Sequence, residues 1–238
     1  MNGESMSMDG RVAFVTGASR GAGAAIARAF HGAGAQVALA SRTGSDLDLE
    51  GALGVECDVR DLGQIEAAVA ATVERFGRLD VVVANAGVGA YGDFLDLAVA
   101  DVEAMIDVNL KGTLWTARAA LPHLIETGGD FVALASVAGL RAFPGETVYN
   151  ASKFGQVGFT RALDHELRER GVRVTSVCPG GIATDFAMGA GRTPDMPELE
   201  GMMTAEEVAD VVLFTVTRPR RLRMMTVSFR PMSEGSWG

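Results

Sequence analysis

The chain is 238 residues long, with 48% hydrophobic and 21% charged residues, which excludes a disordered or fibrous protein and provides ample apolar surface for a core. A formal charge of -9 argues against a nucleic-acid partner, whose phosphates call for clustered Lys and Arg. The opening "MNGESMSMDG" lacks a charged start followed by an apolar run, and no apolar stretch reaches the roughly 20 residues that span a bilayer, so a cytoplasmic chain without a membrane partner is expected.

In chain order, "RVAFVT" (11–16) reads as a buried strand, followed by a glycine-rich turn and the helix-like "GAAIARAFHGAGA". "QVALA" (36–40) and "LGVEC" (53–57) read as the next strands. The segment between them, 41–52, is short for a helical crossover, so a loop or single helical turn is expected. Helical periodicity covers 61–77, with Asp61 as N-cap, and "LDVVVANAG" (79–87) is a strand running into a glycine turn. One long helix is predicted over 99–125, a strand over 129–136, a helix over 147–170 and a strand over 172–178. Residues 183–201, rich in Gly and Pro, read as a mobile substrate loop reaching to Thr204. There a helix (204–216) opens on a capping box of Thr204 and Glu207, before a last strand at 223–229.

Strands alternating with helices imply an α/β fold: one doubly wound Rossmann-type domain spanning 1–238, with a mostly parallel sheet of about seven strands and helices on both faces. Cys57 and Cys178 lie far apart in apolar runs and read as buried thiols of a reducing compartment. His31, His123 and His165 lie on predicted helices without metal-ligand spacing and read as solvent-facing, so no metal site is expected. The basic "RPRRLR" (218–223) reads as a solvated turn.

The first strand ends in "TGASRGAG", placing Gly17, Gly21 and Gly23 at a strand-to-helix turn. Glycines there let the backbone approach a pyrophosphate, whose charge faces the helix's first N–H groups. At the end of the second strand stand Ser41 and Arg42, with Arg20 inside the glycine turn. Each arginine alone is as well explained by surface exposure. Together, with no carboxylate at Ser41, they favour the 2'-phosphate of NADP(H) over NAD(H). Tyr149 and Lys153, in "YNASK", are four apart and share one helix face, a spacing that by itself equally describes two side chains shielding a helix surface.

"TGASRGAG", "CDV" (57–59), "NAG" (85–87), "VNLKG" (108–112), Ser136, "YNASK" (149–153) and "PGGIAT" (179–184) occur in the order found in the short-chain dehydrogenase/reductase family, which the chain resembles along nearly its whole length. The resemblance implies a cofactor site built from Gly17, Ser19, Arg20, Gly21, Ala22, Gly23, Ser41 and Arg42. Asp58 and Val59 would lie at the adenine, and Asn85, Ala86 and Gly87 along the cleft. Pro179, Gly180, Ile182 and Thr184 would lie beside the nicotinamide, with Tyr149 and Lys153 at its ribose. It also matches Asn109, Ser136, Tyr149 and Lys153 to a catalytic tetrad, although Asn109 read alone would cap or kink its helix and Ser136 would end a strand. The chain departs from the family pattern at Ala84, where Asn is common, in the short 41–52 segment and in a rather short loop after the sixth strand.

These matches lead to an NADP(H)-dependent enzyme interconverting a carbonyl and an alcohol. Two other readings stand beside it: a 3-oxoacyl thioester reductase of the same family, and a non-catalytic NADP(H) sensor. A sugar-nucleotide epimerase shares the Tyr and Lys pair but needs a separate substrate domain, for which the chain after strand six has no room. A lysine cation within ~4 Å of the phenol, at an effective dielectric of ~20, would lower its pKa by about three units, so Lys153 is expected to ready Tyr149 as general acid and base. Phe143, Phe186 and Met188 are expected to line the pocket for a small-molecule substrate. By family resemblance the long helices pair in a homodimer, and the carboxyl-terminal tail completes a homotetramer.

Overall fold

The structure, a computed structural model, describes residues 6–235, so the first five residues of the opening segment and the last three of the tail lie outside the described residues. Seven strands form one sheet: β1 (Val12–Thr16), β2 (Gln36–Ser41), β3 (Leu53–Glu56), β4 (Val81–Ala84), β5 (Asp130–Leu134), β6 (Arg173–Pro179) and β7 (Thr226–Phe229). Their order is β3-β2-β1-β4-β5-β6-β7, and every neighbouring pair is parallel. The doubly wound prediction therefore holds.

Six α-helices cover the two faces: α1 (Gly21–Gly32), α2 (Leu62–Phe76), α3 (Val99–Ala104), α4 (Gly112–Thr127), α5 (Thr147–Leu167) and α6 (Ala205–Val216). Successive strand side chains point to opposite faces. Val15, Leu39 and Val83 accordingly pack with Ile26 and Phe30 of α1 and Val208 and Val212 of α6. Phe14, Val82 and Phe131 pack on the other face with Ile65 of α2, Leu124 of α4 and Leu163 of α5. Such double-sided burial is why the strands read as unbroken apolar runs instead of alternating patterns.

Local chemistry sets the helix limits where the sequence placed them. Asp61 accepts the Gln64 N–H at the start of α2, and Gly77, at φ 80°, ends it. Thr204 and Glu207 form the reciprocal capping box of α6. Gly171, at φ 78°, closes the 3₁₀ turn that follows α5.

Elsewhere the structure departs from expectation. The helix predicted over 99–125 is not one α-helix: Met105–Lys111 is π-helical, between α3 and α4. The Thr113 hydroxyl donates to the Asn109 carbonyl at 2.7 Å, while Gly112 lies so close to Val59 that an added Cβ would come within 2.8 Å of it. Single π turns of this kind often mark functional sites. Segment 41–52, by contrast, is the expected loop: it holds turns and no helix, with Leu47 and Asp48 at φ 58° and 56°. Residues 183–204 are irregular apart from a 3₁₀ turn at Pro197–Gly201.

The basic run is more than a solvated turn. Arg220 donates to Asp130 and to the carbonyls of Gly128 and Gly171, and Arg223 pairs with buried Asp164 at 2.6 Å. Asp130, at the amino end of β5, also binds Arg173 and Arg11, so three guanidinium groups share one buried carboxylate. This cluster lies at the end of the sheet opposite the cleft described next.

Candidate active site

The strand order reverses between β1 and β4, and the loops at their carboxyl ends open a crevice, the usual ligand position in such sheets. Gly17 and Gly21 adopt φ 64° and 56°, the left-handed region that glycine tolerates. A Cβ on Gly17 would lie 2.8 Å from the Ala86 backbone, and one on Gly23 would collide with the Gly17 carbonyl and the Asn85 side chain. The Asn85 amide donates to the Thr16 and Gly17 carbonyls at 2.7 and 3.2 Å, while the Thr16 hydroxyl accepts the Asn85 and Ala86 N–H groups. Thr16 thus satisfies this turn although Ala84 stands where Asn is common in the family. No side chain caps α1 and its first turn contains no acid, so its leading N–H groups stay available to an anion.

At the adenosine end, Ser41 is buried whereas Arg20 and Arg42 are exposed, and neither arginine pairs with a described carboxylate within 4 Å. Asp58 is gripped by Arg60, whose Nε bonds both carboxylate oxygens at 3.0 Å and whose Nη2 bonds one at 2.5 Å. The Arg60 hydrogen bonds hold Asp58 below the ordinary carboxylate range. Sequence reasoning missed Arg60, although its place two residues after Asp58 was a usable signal.

Gly17, Ser19, Arg20, Gly21, Ala22, Gly23, Ser41, Arg42, Asp58, Val59, Asn85, Ala86, Gly87, Pro179, Gly180, Ile182 and Thr184 all line one cleft of about 500 Å³, together with Ser136, Tyr149 and Lys153. Asn109 does not. It is fully buried behind the cleft, where its amide spans the Val88 N–H and carbonyl at 2.8 and 2.9 Å and donates to Ser152 at 3.0 Å. Tyr149 and Lys153 stand on successive turns of α5, as their spacing requires. Ser136 follows β5 and caps the 3₁₀ turn Val137–Gly139, accepting the Ala138 N–H at 3.1 Å.

The electrostatics differ from the simple picture of an ammonium beside a phenol. Lys153 Nζ donates to the Leu134 carbonyl at 2.9 Å and lies 5.6 Å from the Tyr149 ring centroid. Burial lowers the Lys153 amine from its ordinary 10.5 to about 7. Burial also drives the Tyr149 phenol well above its ordinary 10, and its hydrogen bond to Ser136 pulls it back only in part. Desolvation outweighs both the Ser136 hydrogen bond and the Arg192 charge at the phenol, so Tyr149 is a protonated donor at neutral pH.

Beyond Tyr149 the cleft continues into a pocket whose aromatic walls are Tyr91, in edge contact with the Tyr149 ring at 5.7 Å, and Phe186 at 5.8 Å. Phe143 lines it as expected, but Met188 does not: it faces a separate shallow depression with Pro194 and Leu199. Glu146, Arg192 and Glu234 also line this end, and sequence reasoning missed all three along with Tyr91. Arg192 had a signal, as the sole cation between residues 183 and 201. Both cysteines are buried, and burial pushes each thiol up to about 11, which keeps them unreactive.

A short chain dehydrogenase family profile matches residues 11–195. The chain belongs to this family. An uncharacterized oxidoreductase of Staphylococcus aureus (strain USA300) is 35% identical over 231 residues, covering 93% of this chain and 97% of that protein. An alcohol dehydrogenase from the archaeon Thermococcus sibiricus, solved with 5-hydroxy-NADP, superposes with a TM-score of 0.85 at 31% identity, covering 96% of this chain and 99% of that one. A 3-ketoacyl-(acyl-carrier-protein) reductase from Brucella melitensis, solved with NADH, gives a TM-score of 0.84 at 25% identity over 93% and 97% of the two chains.

The cleft suits a nicotinamide dinucleotide on its own chemistry: a glycine cradle that a Cβ would fill, open helix N–H groups and free arginines at the far end. Among the described residues no helix is long and apolar enough to cross a membrane.

Proposed function

We propose that this short-chain dehydrogenase is an NADP(H)-dependent oxidoreductase that interconverts a ketone or aldehyde and its alcohol, with Tyr149 as general acid and base. The observation that carries the reading is one continuous cleft with unpaired Arg20 and Arg42 at one end and Ser136, Tyr149 and Lys153 at the other. Arg20 and Arg42 would bind the 2'-phosphate, the first turn of α1 the pyrophosphate, and Lys153 the nicotinamide ribose. When bound, the nicotinamide supplies or accepts the hydride.

In reduction, Tyr149 Oη–H donates its proton to the carbonyl oxygen, and Ser136 Oγ orients that oxygen with a second hydrogen bond. Burial keeps the phenol protonated, which suits the donor role. Asn109 holds the Val88 backbone and the Ser152 hydroxyl behind the site, acting as a positioning residue. On this reading the chain works as one domain, 1–238, whose 183–204 loop covers the substrate. A homodimer or homotetramer is part of the proposal, on the family resemblance alone.

The test is Tyr149→Phe. NADPH affinity is expected to stay within about threefold while turnover falls by roughly 10²–10⁴, the usual contribution of a general acid. Retained turnover would sink the role given to Tyr149. A panel of ketones, aldehydes and 3-oxoacyl thioesters, run with NADPH and NADH in parallel, separates this reading from two others. One is the thioester reductase that the likeness to the Brucella melitensis enzyme favours, and the other is a sensor that turns over no carbonyl.

A further inference from the structure

The pocket beyond Tyr149 is apolar on two walls but carries a cation where an apolar ketone would need none. Arg192 sits with its guanidinium carbon 5.7 Å from the Tyr91 ring centroid and 6.0 Å from that of Phe186. Both rings also contact the Tyr149 ring, so the cation lies one aromatic side chain away from the proton donor. Beside two rings the guanidinium keeps its planar fork, the group that recognises a planar carboxylate through two parallel hydrogen bonds.

Its donors are mostly unspent. Of five N–H groups, one serves the Ile182 carbonyl at 3.2 Å, and no described carboxylate lies within 4 Å. Three carboxylates do line this end of the cleft, and one of them, Asp185, is exposed to solvent. Glu234 is engaged elsewhere: it accepts the Gly181 N–H at 2.5 Å and lies 3.8 Å from Arg230. Glu146 is half-buried and burial raises its pKa, with Arg192 pulling the other way. Lys153, the other cation at this end, gives one N–H to the Leu134 carbonyl, and its remaining donors are assigned above to the nicotinamide ribose.

We infer that Arg192 is a substrate-binding residue that selects short oxo acids, and in the reverse direction hydroxy acids, by pairing with their carboxylate while the carbonyl lies at Tyr149 and Ser136. The inference rests on the carbonyl reductase reading above and names its substrate class. In the forward reaction Tyr149 would give its proton to the carbonyl oxygen while the carbonyl carbon would take a hydride from bound NADPH, so that the products would be a hydroxy acid and NADP⁺. The carboxylate takes no part in the chemistry, so Arg192 acts on binding and orientation alone.

The experiment compares 3-oxobutanoate with its methyl ester, which keeps the carbonyl and loses the charge, in the wild-type chain and in Arg192→Met and Arg192→Lys. Wild type is expected to favour the acid in kcat/KM. Arg192→Met should lower kcat/KM for the acid by about 10- to 100-fold, the worth of a charge-assisted pair, and change the ester by less than about threefold. Arg192→Lys, which keeps charge but loses the fork, should fall between. Saturation-transfer NMR with butanoate, which cannot react, should show binding to wild type that Arg192→Met abolishes. Equal losses for acid and ester, or no preference for the acid in wild type, would overturn the inference while leaving the reductase reading intact. Turnover of neither compound, nor of any other carbonyl, would overturn the reductase reading itself, and butanoate binding would then decide the carboxylate site alone.

Discussion

Raising the pH from about 7 to about 8.5 is expected to stabilise the fold through Lys153, by on the order of 1.5 kcal/mol. The amine is 3% exposed, and burial lowers its pKa from 10.5 to about 7. Between those values the unfolded chain holds a proton that the native chain has released, so stability rises with pH. The cost of burying this amine therefore grows as pH falls from 10.5 towards 7 and is constant below. The window must stop near 8.5 because Cys57 and Cys178, raised from 9.0 to about 11, act with the opposite sign above it: there the unfolded thiols ionise first and stability falls.

The assay is urea unfolding followed by far-UV circular dichroism at fixed ionic strength, on wild type and Lys153→Met, with no cofactor present. Wild type should gain the stated amount and the variant should lose that part of the slope, the remaining pH dependence being common to both. Parallel slopes in the two proteins would refute the claim that Lys153 is buried as a near-neutral amine.

Two further outcomes are expected. Arg42→Ala, and more so with Arg20→Ala added, should weaken NADPH binding by about 10- to 100-fold and leave NADH within about twofold, measured by fluorescence titration; equal losses would show that the arginines do not read the 2'-phosphate. Asp130→Asn should lower stability by about 3–5 kcal/mol, because buried Arg173 loses its counter-charge, yet leave NADPH affinity unchanged at the opposite end of the sheet; a loss below about 1 kcal/mol in urea unfolding would refute this.

The fold was legible because each level of the sequence agreed with the next. Strands buried on both faces are continuous apolar runs, and the caps at Asp61, Thr204 and Gly77 are local signals that need no tertiary partner. The glycine turn was legible for a related reason: residues 17–23 fold on themselves, and the atoms that a Cβ would strike belong to the same turn or to the NAG segment recognised beside it. By contrast, the π-helical stretch at Met105–Lys111 depends on Asn109 reaching Val88 on another loop and on Gly112 meeting Val59. Helical periodicity over 99–125 contains neither contact.

The same distinction explains the electrostatics of the tetrad. Spacing correctly put Tyr149 and Lys153 on one helix face, but a charge state is set by what surrounds a group on every side, and the carbonyl that takes the Lys153 proton bond belongs to β5, 19 residues earlier. Read from spacing alone, the ammonium should ease the phenol's ionisation; buried as they are, both groups are driven towards their neutral forms, against the pull of the Ser136 hydrogen bond on the phenol. A phenol that stays protonated and an amine poised near neutrality suit a site that gives away a proton and then draws one back, so the burial that costs stability below about pH 10 would also equip α5 for the reduction proposed above.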